Sequence, residues 1–252
     1  MKSEAKTPPI VVIGGANMDL SGQAAVAMRS GDSLPGTVRA SAGGVGRNIA
    51  EALARLGRLT KLIAALGDDG FAEDIVRQTS VAGVDLRATL RVPEQTTSTY
   101  LSVLDSAGEM QLAINDMDLV NALTPKVLAE RMRDLEDAKA WVVDANLSED
   151  ALAFIFSNTQ SNIPVFAEPV SVTKAVKLLP WLSRITLLKP NRIEAAALTG
   201  RSEDSPVEDL SRALHDLGVK RVVISQGRDG VWGSDADGDV FAQPIFPVSI
   251  QS

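Results

Sequence analysis

Short apolar segments alternate with helical patterns along most of the chain, and this alternation limits the fold more than any other feature. The predicted buried strands are residues 10–13, 59–66, 141–144, 164–167, 185–188 and 221–225. The clearest helical patterns between them are residues 71–82, 148–157 and 206–217. Strands that are separated by helices in this way form a mostly parallel sheet with helices on both faces. The sequence therefore predicts an α/β fold, and its length favours one domain over residues 1–252, although it also allows two.

Two β-rich stretches break this rhythm. Residues 97–104 and 109–115 read as strands, and the turn at residues 105–108 joins them into a predicted hairpin. Further antiparallel strands are predicted within residues 16–42. Open α/β sheets bind ligands at the carboxyl ends of their strands, so a small separate sheet would suit a lid over such a site. We therefore predict a β-lid built from about residues 16–42 and 97–115; the alternative is a surface hairpin without a function.

The composition excludes several classes of function. The net charge is −7 and no run of Lys or Arg stands out, which argues against a nucleic-acid partner and a polybasic membrane contact. The absence of cysteine excludes disulfides, thiolate metal sites and a cysteine nucleophile, and it fits a cytoplasmic location. The one histidine, His215, excludes a histidine-rich metal site and is predicted on the solvated side of a helix. No signal peptide and no membrane-spanning apolar run is expected.

A glycine-rich loop, residues 43–48, stands directly before a helical run. Glycine allows a positive φ and a close approach by another group, and a helix that begins on such a loop directs N–H groups at whatever binds there. The loop lacks the spacing of the nucleotide-binding fingerprints. It predicts either an ordinary tight turn or a small-molecule site with Asn48 as a side-chain contact. Asn17 and Asp19 could hold ligand hydroxyl groups by charge-assisted hydrogen bonds, or could simply form a turn.

Two polar clusters follow later strands. Asn191 and Glu194 have the spacing of a capping box at the start of a helix. Alternatively, they face a phosphate group and its Mg²⁺ through water, since Mg²⁺ prefers oxygen ligands and keeps its waters. Residues 225–230 form a glycine-rich strand end with a hydroxyl group at Ser225, which suits a nucleotide phosphate. The alternative for that segment is a hairpin turn into Val231.

Five segments carry a family resemblance across nearly the whole chain. They are residues 14–19 (Gly-Gly-Ala-Asn-Met-Asp), 43–50 (Gly-Gly-Val-Gly-Arg-Asn-Ile-Ala), 66–70 (Leu-Gly-Asp-Asp-Gly), 189–194 (Lys-Pro-Asn-Arg-Ile-Glu) and 225–232 (Ser-Gln-Gly-Arg-Asp-Gly-Val-Trp). In this order they resemble the ribokinase-like sugar and nucleoside kinases, the phosphofructokinase B family. Within the family, the chain looks most like the branch that acts on pseudouridine, through residues 43–50, 104–105, 108–110, 113–117 and 168–171. The resemblance implies a ribokinase-like α/β fold whose small β-sheet lid closes over the substrate.

The resemblance also implies a division of roles. It assigns substrate binding to Asn17, Asp19, Gly43, Gly44, Asn48 and Asn146. It assigns ATP binding to Asn191, Ser225 and Gly227, and water-mediated Mg²⁺ binding to Glu194. ATP and Mg²⁺ are thus the expected cofactors, a nucleoside or sugar is the expected substrate, and the lid is expected to join two copies in a homodimer. The reaction would move the γ-phosphoryl group of ATP to the 5′-hydroxyl of pseudouridine.

One part of the family pattern is not found in the sequence. The family takes its anion hole and its catalytic Asp base from a Gly-Ala-Gly-Asp segment, which would follow the strand predicted at residues 239–242. No Gly-Ala-Gly-Asp occurs in these 252 residues, so no catalytic residue is assigned and the C-terminal part of the fold is expected to be missing. Because loss of a general base typically costs ~10²–10⁴ in rate, the chain itself is expected to be inactive. Two alternatives stay open: another ribokinase-like sugar or nucleoside kinase, and a non-catalytic fragment that binds a nucleoside or pairs through its lid.

Overall fold

The computed structural model describes residues 7–133, 135 and 137–245. The chain divides into two compact units, Met1–Lys139 and Ala140–Ser252. Both β-rich stretches of the predicted lid lie in the first unit. The number of domains stays a prediction.

The first unit combines short strands with three α-helices and one 3₁₀ helix in its described residues. Its elements in chain order are β1 (Ile10–Ile13), β2 (Asn17–Ala24), β3 (Gly36–Gly43), α1 (Val45–Arg55), β4 (Thr60–Ile63), β5 (Ala65–Leu66), α2 (Gly70–Val81), β6 (Leu90–Arg91), β7 (Thr99–Leu104), β8 (Met110–Asp116), a 3₁₀ helix (Asp118–Ala122) and α3 (Pro125–Met132).

Strands β1 and β4 pair in parallel along their whole length. Residues 11–13 have no exposed surface, so β1 is buried on both faces, as its apolar run predicts. The predicted strand 59–66 is in fact two strands. The backbone changes partner at Ala64, whose carbonyl oxygen accepts a hydrogen bond from the N–H of Leu90 at 2.8 Å, and β5 then pairs with β6.

Four strands form a small sheet in the order β3-β2-β7-β8. The outer pairs are antiparallel, as predicted, whereas the central pair β2–β7 is parallel. The two central strands begin side by side, where the N–H of Met18 donates to the carbonyl of Ser98 at 2.8 Å, and therefore run in the same direction. The predicted hairpin is confirmed, and Asp105 Oδ1 closes it by accepting hydrogen bonds from the N–H groups of Ala107 and Glu109, both at 2.9 Å.

The two faces of the small sheet differ in chemistry. Residues that lie opposite each other in neighbouring strands share a face, and side chains alternate along each strand. One face carries a polar row across all four strands, formed by Ser41, Asp19, Tyr100 and Asn115. The other face is apolar and contains Val38, Leu20, Leu101, Val103, Leu112 and Ile114. Three of these apolar side chains are more than half exposed in the described chain: Val38, Leu112 and Ile114.

The second unit is a regular alternation of strands and helices. Its elements in chain order are β9 (Ala140–Asp144), α4 (Glu149–Asn158), β10 (Val165–Glu168), α5 (Val172–Ala175), a 3₁₀ helix (Val176–Arg184), β11 (Leu187–Leu188), α6 (Arg192–Thr199), α7 (Val207–Asp216), β12 (Arg221–Ser225), a 3₁₀ turn (Gly227–Asp229), β13 (Val231–Asp235) and β14 (Val240–Gln243).

Strands β9, β10, β11 and β12 pair in parallel in this order, and β13 and β14 extend the sheet as antiparallel strands. Strand β11 is shorter than predicted. The N–H of Ile185 bonds back to the carbonyl of Leu182 at 3.1 Å and so ends the preceding 3₁₀ helix. The predicted α/β class, with a mostly parallel main sheet and a small separate sheet, is confirmed.

The prediction for the single histidine was wrong: it does not lie on the solvated side of its helix. His215 is half-buried on α7 against β13. Its Nδ1 lies 2.8 Å from the carbonyl oxygen of Val219, and its Nε2 lies 2.8 Å from Ser234 Oγ. A carbonyl can only accept, so Nδ1 carries a proton in this arrangement.

Candidate functional site

The start of the small sheet gathers three of the predicted substrate residues. Asn17 is buried, and its Nδ2 donates to Asp19 Oδ1 at 2.6 Å. Gly43 pairs with Asn17 across β2 and β3, and a Cβ at Gly43 would lie 2.5 Å from Asp19 Cγ. A side chain at residue 43 would therefore displace the Asp19 carboxylate, which occupies the space that a Cβ would fill.

The glycine loop also needs its second glycine, for a different reason. Gly44 has a φ of +96°, which side chains avoid, and it stands at the N-cap of α1. A Cβ there would lie 2.5 Å from both the Cα of Ala16 and the carbonyl oxygen of Gly15. The N–H of Arg47, in the first turn of α1, donates to that carbonyl oxygen at 3.0 Å. The loop thus packs backbone against backbone beside the segment that leads to Asn17.

Asn48 is exposed on the first turns of α1. Its Oδ1 accepts a hydrogen bond from Nη1 of the neighbouring Arg47 at 2.8 Å. The contact engages one of the two lone pairs of this oxygen, and it leaves the amide NH₂ group, which can only donate, to serve a ligand.

Asp69, in the segment 66–70, has a structural role in the first unit. Asp69 caps α2 by accepting from the N–H of Ala72 at 2.9 Å, and it also accepts from the N–H and the hydroxyl of Thr97 at 2.7 and 2.6 Å. Burial raises the pKa of Asp69, but these hydrogen bonds and the charge of Arg91 outweigh it and hold the pKa below its ordinary value. Asp69 therefore ties the start of α2 to the segment that leads into β7.

In the second unit, Asn146 lies just beyond the end of β9 and is 8% exposed. Its N–H donates to Asp144 Oδ1 at 2.9 Å, and its Oδ1 accepts from Lys174 Nζ at 2.6 Å. Lys177 Nζ donates to the carbonyl oxygen of Leu147 at 2.5 Å. Burial lowers the pKa of Lys177, and the positive charge of Lys174 lowers it further. Two ammonium groups therefore lie close to the carboxyl end of β9.

A strained backbone conformation precedes the helix that carries Lys174. Val170 has a φ of +71°, in the left-handed region where a β-branched residue is an outlier. The next residue, Ser171, caps α5, with its Oγ accepting from the N–H of Lys174 at 3.4 Å. The turn at residues 168–171 was singled out by its resemblance alone, and its strain and its connection to Asn146 were not predicted.

Carboxylates gather at the ends of β10 and β11. Glu168 forms an ion pair with Lys189 at 2.9 Å. Burial raises the pKa of Glu168 above its ordinary value; Lys189 opposes this shift and the negative charge of Glu194 adds to it. The predicted capping box is present: Asn191 Oδ1 accepts from the N–H of Glu194 and Glu194 Oε2 accepts from the N–H of Asn191, both at 2.8 Å.

Ser225 and Gly227 lie where β12 turns into β13. The N–H of Ser225 donates to the carbonyl of Pro190 at 3.0 Å, and a β-bridge joins Ser225 to Asn191. Gly227 has a φ of +59°, and a Cβ there would meet no atom within 4 Å. The residue therefore provides backbone freedom for the turn and leaves open space beside it. The hairpin into Val231, which the sequence left as one alternative, is present.

The structure thus brings the predicted residues together in two groups, one in each unit. Asn17, Asp19, Gly43 and Gly44 share one set of contacts in the first unit, to which Arg47 links Asn48. In the second unit, Asn191, Glu194 and Ser225 are in contact, Gly227 follows directly, and Asn146 lies at another strand end. Arg47, Lys174, Glu168 and Lys189 were not assigned roles from the sequence.

The described residues contain neither a metal-binding cluster nor a membrane-spanning helix. Among residues 7–133, 135 and 137–245, no group of three or more Asp, Glu or His side chains is arranged to hold a metal ion. In the same residues, no helix has both the length and the apolar character that crossing a bilayer requires.

Comparison with known proteins identifies the family. A profile for the "pfkB family carbohydrate kinase" matches residues 8–252. The chain belongs to this family. Among its pfkB-family relatives, the pseudouridine kinase of Escherichia coli is 44% identical over 91% of this chain and 74% of its own length. The pseudouridine kinase of Arabidopsis thaliana is 31% identical over 87% of this chain and 63% of its own.

Solved structures agree with the pfkB assignment at the level of the fold. A putative ribokinase II from Escherichia coli, solved in complex with ATP and Mg²⁺, superposes with a TM-score of 0.81 over 96% of this chain and 80% of its own, at 19% identity. Family membership makes the chain an ATP-dependent sugar or nucleoside kinase by class. The predicted ribokinase-like resemblance is therefore confirmed.

Proposed function

We propose that this pfkB-family chain binds pseudouridine and belongs to a kinase that phosphorylates its 5′-hydroxyl with ATP. The observation that carries the proposal is the Asp19 carboxylate, which is oriented by Asn17 and lies against Gly43 on the polar face of the small sheet. A fixed carboxylate suits ribose hydroxyl groups as an acceptor of their protons, and the Asn48 amide would be a donor to a hydroxyl oxygen. Two of the relatives are pseudouridine kinases, which supports pseudouridine, rather than another nucleoside, as the proposed substrate of this chain.

The nucleotide side of the proposal rests on the second unit. Asn191, Ser225 and Gly227 would contact ATP, since the turn leaves open space beside Gly227 and a β-bridge holds Ser225 against Asn191. Glu194 is 4% exposed and has one carboxylate oxygen engaged in its capping box. It therefore fits an Mg²⁺ that keeps its own waters, rather than an ion held in a cage of protein ligands. Bound Mg²⁺ would neutralise charge on the phosphates.

Phosphoryl transfer breaks the bond from the γ-phosphorus to the bridging oxygen and forms a bond from the 5′-oxygen to that phosphorus, while a base takes the hydroxyl proton. The 252 residues contain no Gly-Ala-Gly-Asp segment to supply this base. We therefore expect the purified chain to bind its substrate without useful turnover. ATP-dependent formation of pseudouridine 5′-phosphate by the chain, but not by an Asp19→Ala variant, would contradict this expectation.

A second copy of the chain is the proposed partner of the small sheet. Its apolar face exposes Val38, Leu112 and Ile114, while the opposite face carries the polar row with Asp19. Apolar side chains in such a patch gain by being covered, and a homodimer would cover them in a self-complementary manner. Sedimentation should detect a dimer that a Leu112→Glu/Ile114→Glu variant loses, and a wild-type chain that stays monomeric at high concentration would argue against pairing.

Calorimetric titration of the chain with pseudouridine and with ribose tests the substrate. We expect pseudouridine to bind more tightly than ribose, with an Asp19→Asn variant weaker for both because a neutral amide forms weaker bonds with hydroxyl groups. Tighter binding of ribose or of another nucleoside would favour another ribokinase-like kinase. Binding of neither ligand would overturn the substrate proposal.

A further inference from the structure

Arg47 is a charged side chain in the interior of the first unit. It is 6% exposed, and a buried charge is costly unless it is paired and hydrogen-bonded. Its Nε donates to Thr79 Oγ1 on α2 at 3.0 Å, and Nη2 forms an ion pair with Glu51 one turn along α1. These two contacts tie the guanidinium to α2 and to the next turn of α1.

The remaining contacts of Arg47 reach the glycine loop itself. Nη1 donates to the carbonyl oxygen of Ala42 at 3.0 Å and to Asn48 Oδ1 at 2.8 Å. Ala42 is the residue before Gly43, at the end of β3. The backbone N–H of Arg47 holds the carbonyl of Gly15 at 3.0 Å. One residue therefore fixes three separate segments: the link between β1 and β2, the end of β3 and the start of α1.

The contact with Asn48 also selects the orientation of the amide. A guanidinium has only donors, so it can donate to the carbonyl oxygen of Asn48 but repels the NH₂ group. A flipped amide would place two sets of donors against each other. The NH₂ group is therefore left to donate to a ligand.

We propose that Arg47 is a positioning residue of the substrate side, which fixes Asn48 as a hydrogen-bond donor to a ligand hydroxyl oxygen. The inference rests on the proposed function, because it takes a polyhydroxylated ligand at Asp19 as given. Arg47 itself touches no substrate; it acts on the ligand through Asn48.

A double-mutant cycle separates this role from general support of the fold. The variants are Arg47→Lys, Asn48→Ala and the double variant, titrated with pseudouridine. The matched control is Arg55→Lys, because Arg55 forms an ion pair with the same Glu51 but is 69% exposed. We expect Arg47→Lys to weaken binding by about three- to tenfold, as loss of one neutral hydrogen bond from Asn48 to the ligand predicts, and Arg55→Lys to change it less than about twofold.

The cycle must also show coupling. If Arg47 acts through Asn48, then adding Arg47→Lys to Asn48→Ala should weaken binding little further, whereas a purely structural role gives losses that multiply. Multiplying losses, or an Arg47→Lys variant that binds like the wild type, would overturn the proposal.

A measurement without ligand keeps this inference distinct from the substrate assignment. The side-chain amide signal of Asn48 in an NMR spectrum of the free chain should shift in Arg47→Lys and stay unchanged in Arg55→Lys. If the chain does not bind pseudouridine but the Asn48 signal shifts as expected, the proposed substrate is rejected and the positioning of Asn48 by Arg47 is retained. An unshifted signal in Arg47→Lys would reject the positioning whatever the chain binds.

Discussion

The contact between Gly43 and Asp19 predicts a substitution that impairs binding and largely spares the fold. Gly43→Ala places a Cβ 2.5 Å from Asp19 Cγ and 2.8 Å from Oδ1, whereas ordinary van der Waals contact begins at 3.4 Å. Oδ2 would lie closer still, so the carboxylate must move by more than the 0.9 Å that separates 2.5 Å from 3.4 Å. Because the obstacle is a half-buried side chain that can turn away, we expect a stability loss below about 2 kcal/mol.

The displaced carboxylate determines the size of the binding effect. A shift of this size breaks or lengthens the 2.6 Å hydrogen bond from Asn17 and moves Asp19 out of line with the ligand. A hydrogen bond to a charged group contributes about 1.5–3 kcal/mol, and each 1.4 kcal/mol is about tenfold in affinity. One such bond lost to a ligand hydroxyl predicts that the dissociation constant of pseudouridine rises by about 10- to 100-fold.

Calorimetric titration measures this change, with thermal unfolding recorded on the same samples. The matched control is Gly22→Ala in β2, the strand that carries Asp19, where the nearest atom to the added Cβ is the Ser102 carbonyl oxygen at 4.0 Å. The control should bind pseudouridine as the wild type does. A Gly43→Ala chain whose dissociation constant stays within about twofold of the wild type would refute the reasoning, because the carboxylate would then be irrelevant to the ligand.

Three further substitutions test other contacts. Gly44→Ala forces a side chain into a φ of +96° and against the backbone of Ala16, so thermal unfolding should show a loss of about 1–3 kcal/mol, more than Gly43→Ala causes. Asp69 has a lowered pKa, so its charge stabilises the fold above the ordinary value of 3.8 and this contribution fades as the pH falls further. Asp69→Asn keeps a capping oxygen, and denaturant titrations should show it less stable than the wild type at pH 7 with the gap closing below about pH 4; a constant gap would contradict the cause given. Lys174→Met frees the amide of Asn146, so pseudouridine should bind about tenfold more weakly while the unfolding temperature changes little; equal affinity would exclude Asn146 as a ligand contact.

The sequence was informative wherever a local pattern decides the structure. The four apolar residues of β1 predicted a strand buried on both faces, because only such a strand needs an unbroken apolar run. The spacing of Asn191 and Glu194 predicted their capping box, since both partners lie within one helical turn. The turn after Leu104 predicted the hairpin, since the two strands that it joins are close together in the sequence.

Contacts between distant residues were beyond reach of such patterns. Arg47 and Thr79 are 32 residues apart, and Lys174 and Asn146 are 28 apart, so no local rule pairs them. The positive φ of Val170 runs against the preference of β-branched residues and is imposed by its surroundings. The strand predicted at residues 59–66 divided because β6, a partner from farther along the chain, takes over its second half.

The alternation of the small sheet constrains how its strands can change length. A single-residue insertion within β2 would carry every later side chain to the opposite face and place apolar groups beside Asp19. A β-bulge after Val103 shows how one extra residue is absorbed: Met110 comes to lie opposite Leu104, and its sulfur is 3.7 Å from the hydroxyl of Tyr100. Lineages that retain both faces should therefore gain or lose residues within these strands in pairs, or place single changes at a bulge or in the connecting turns.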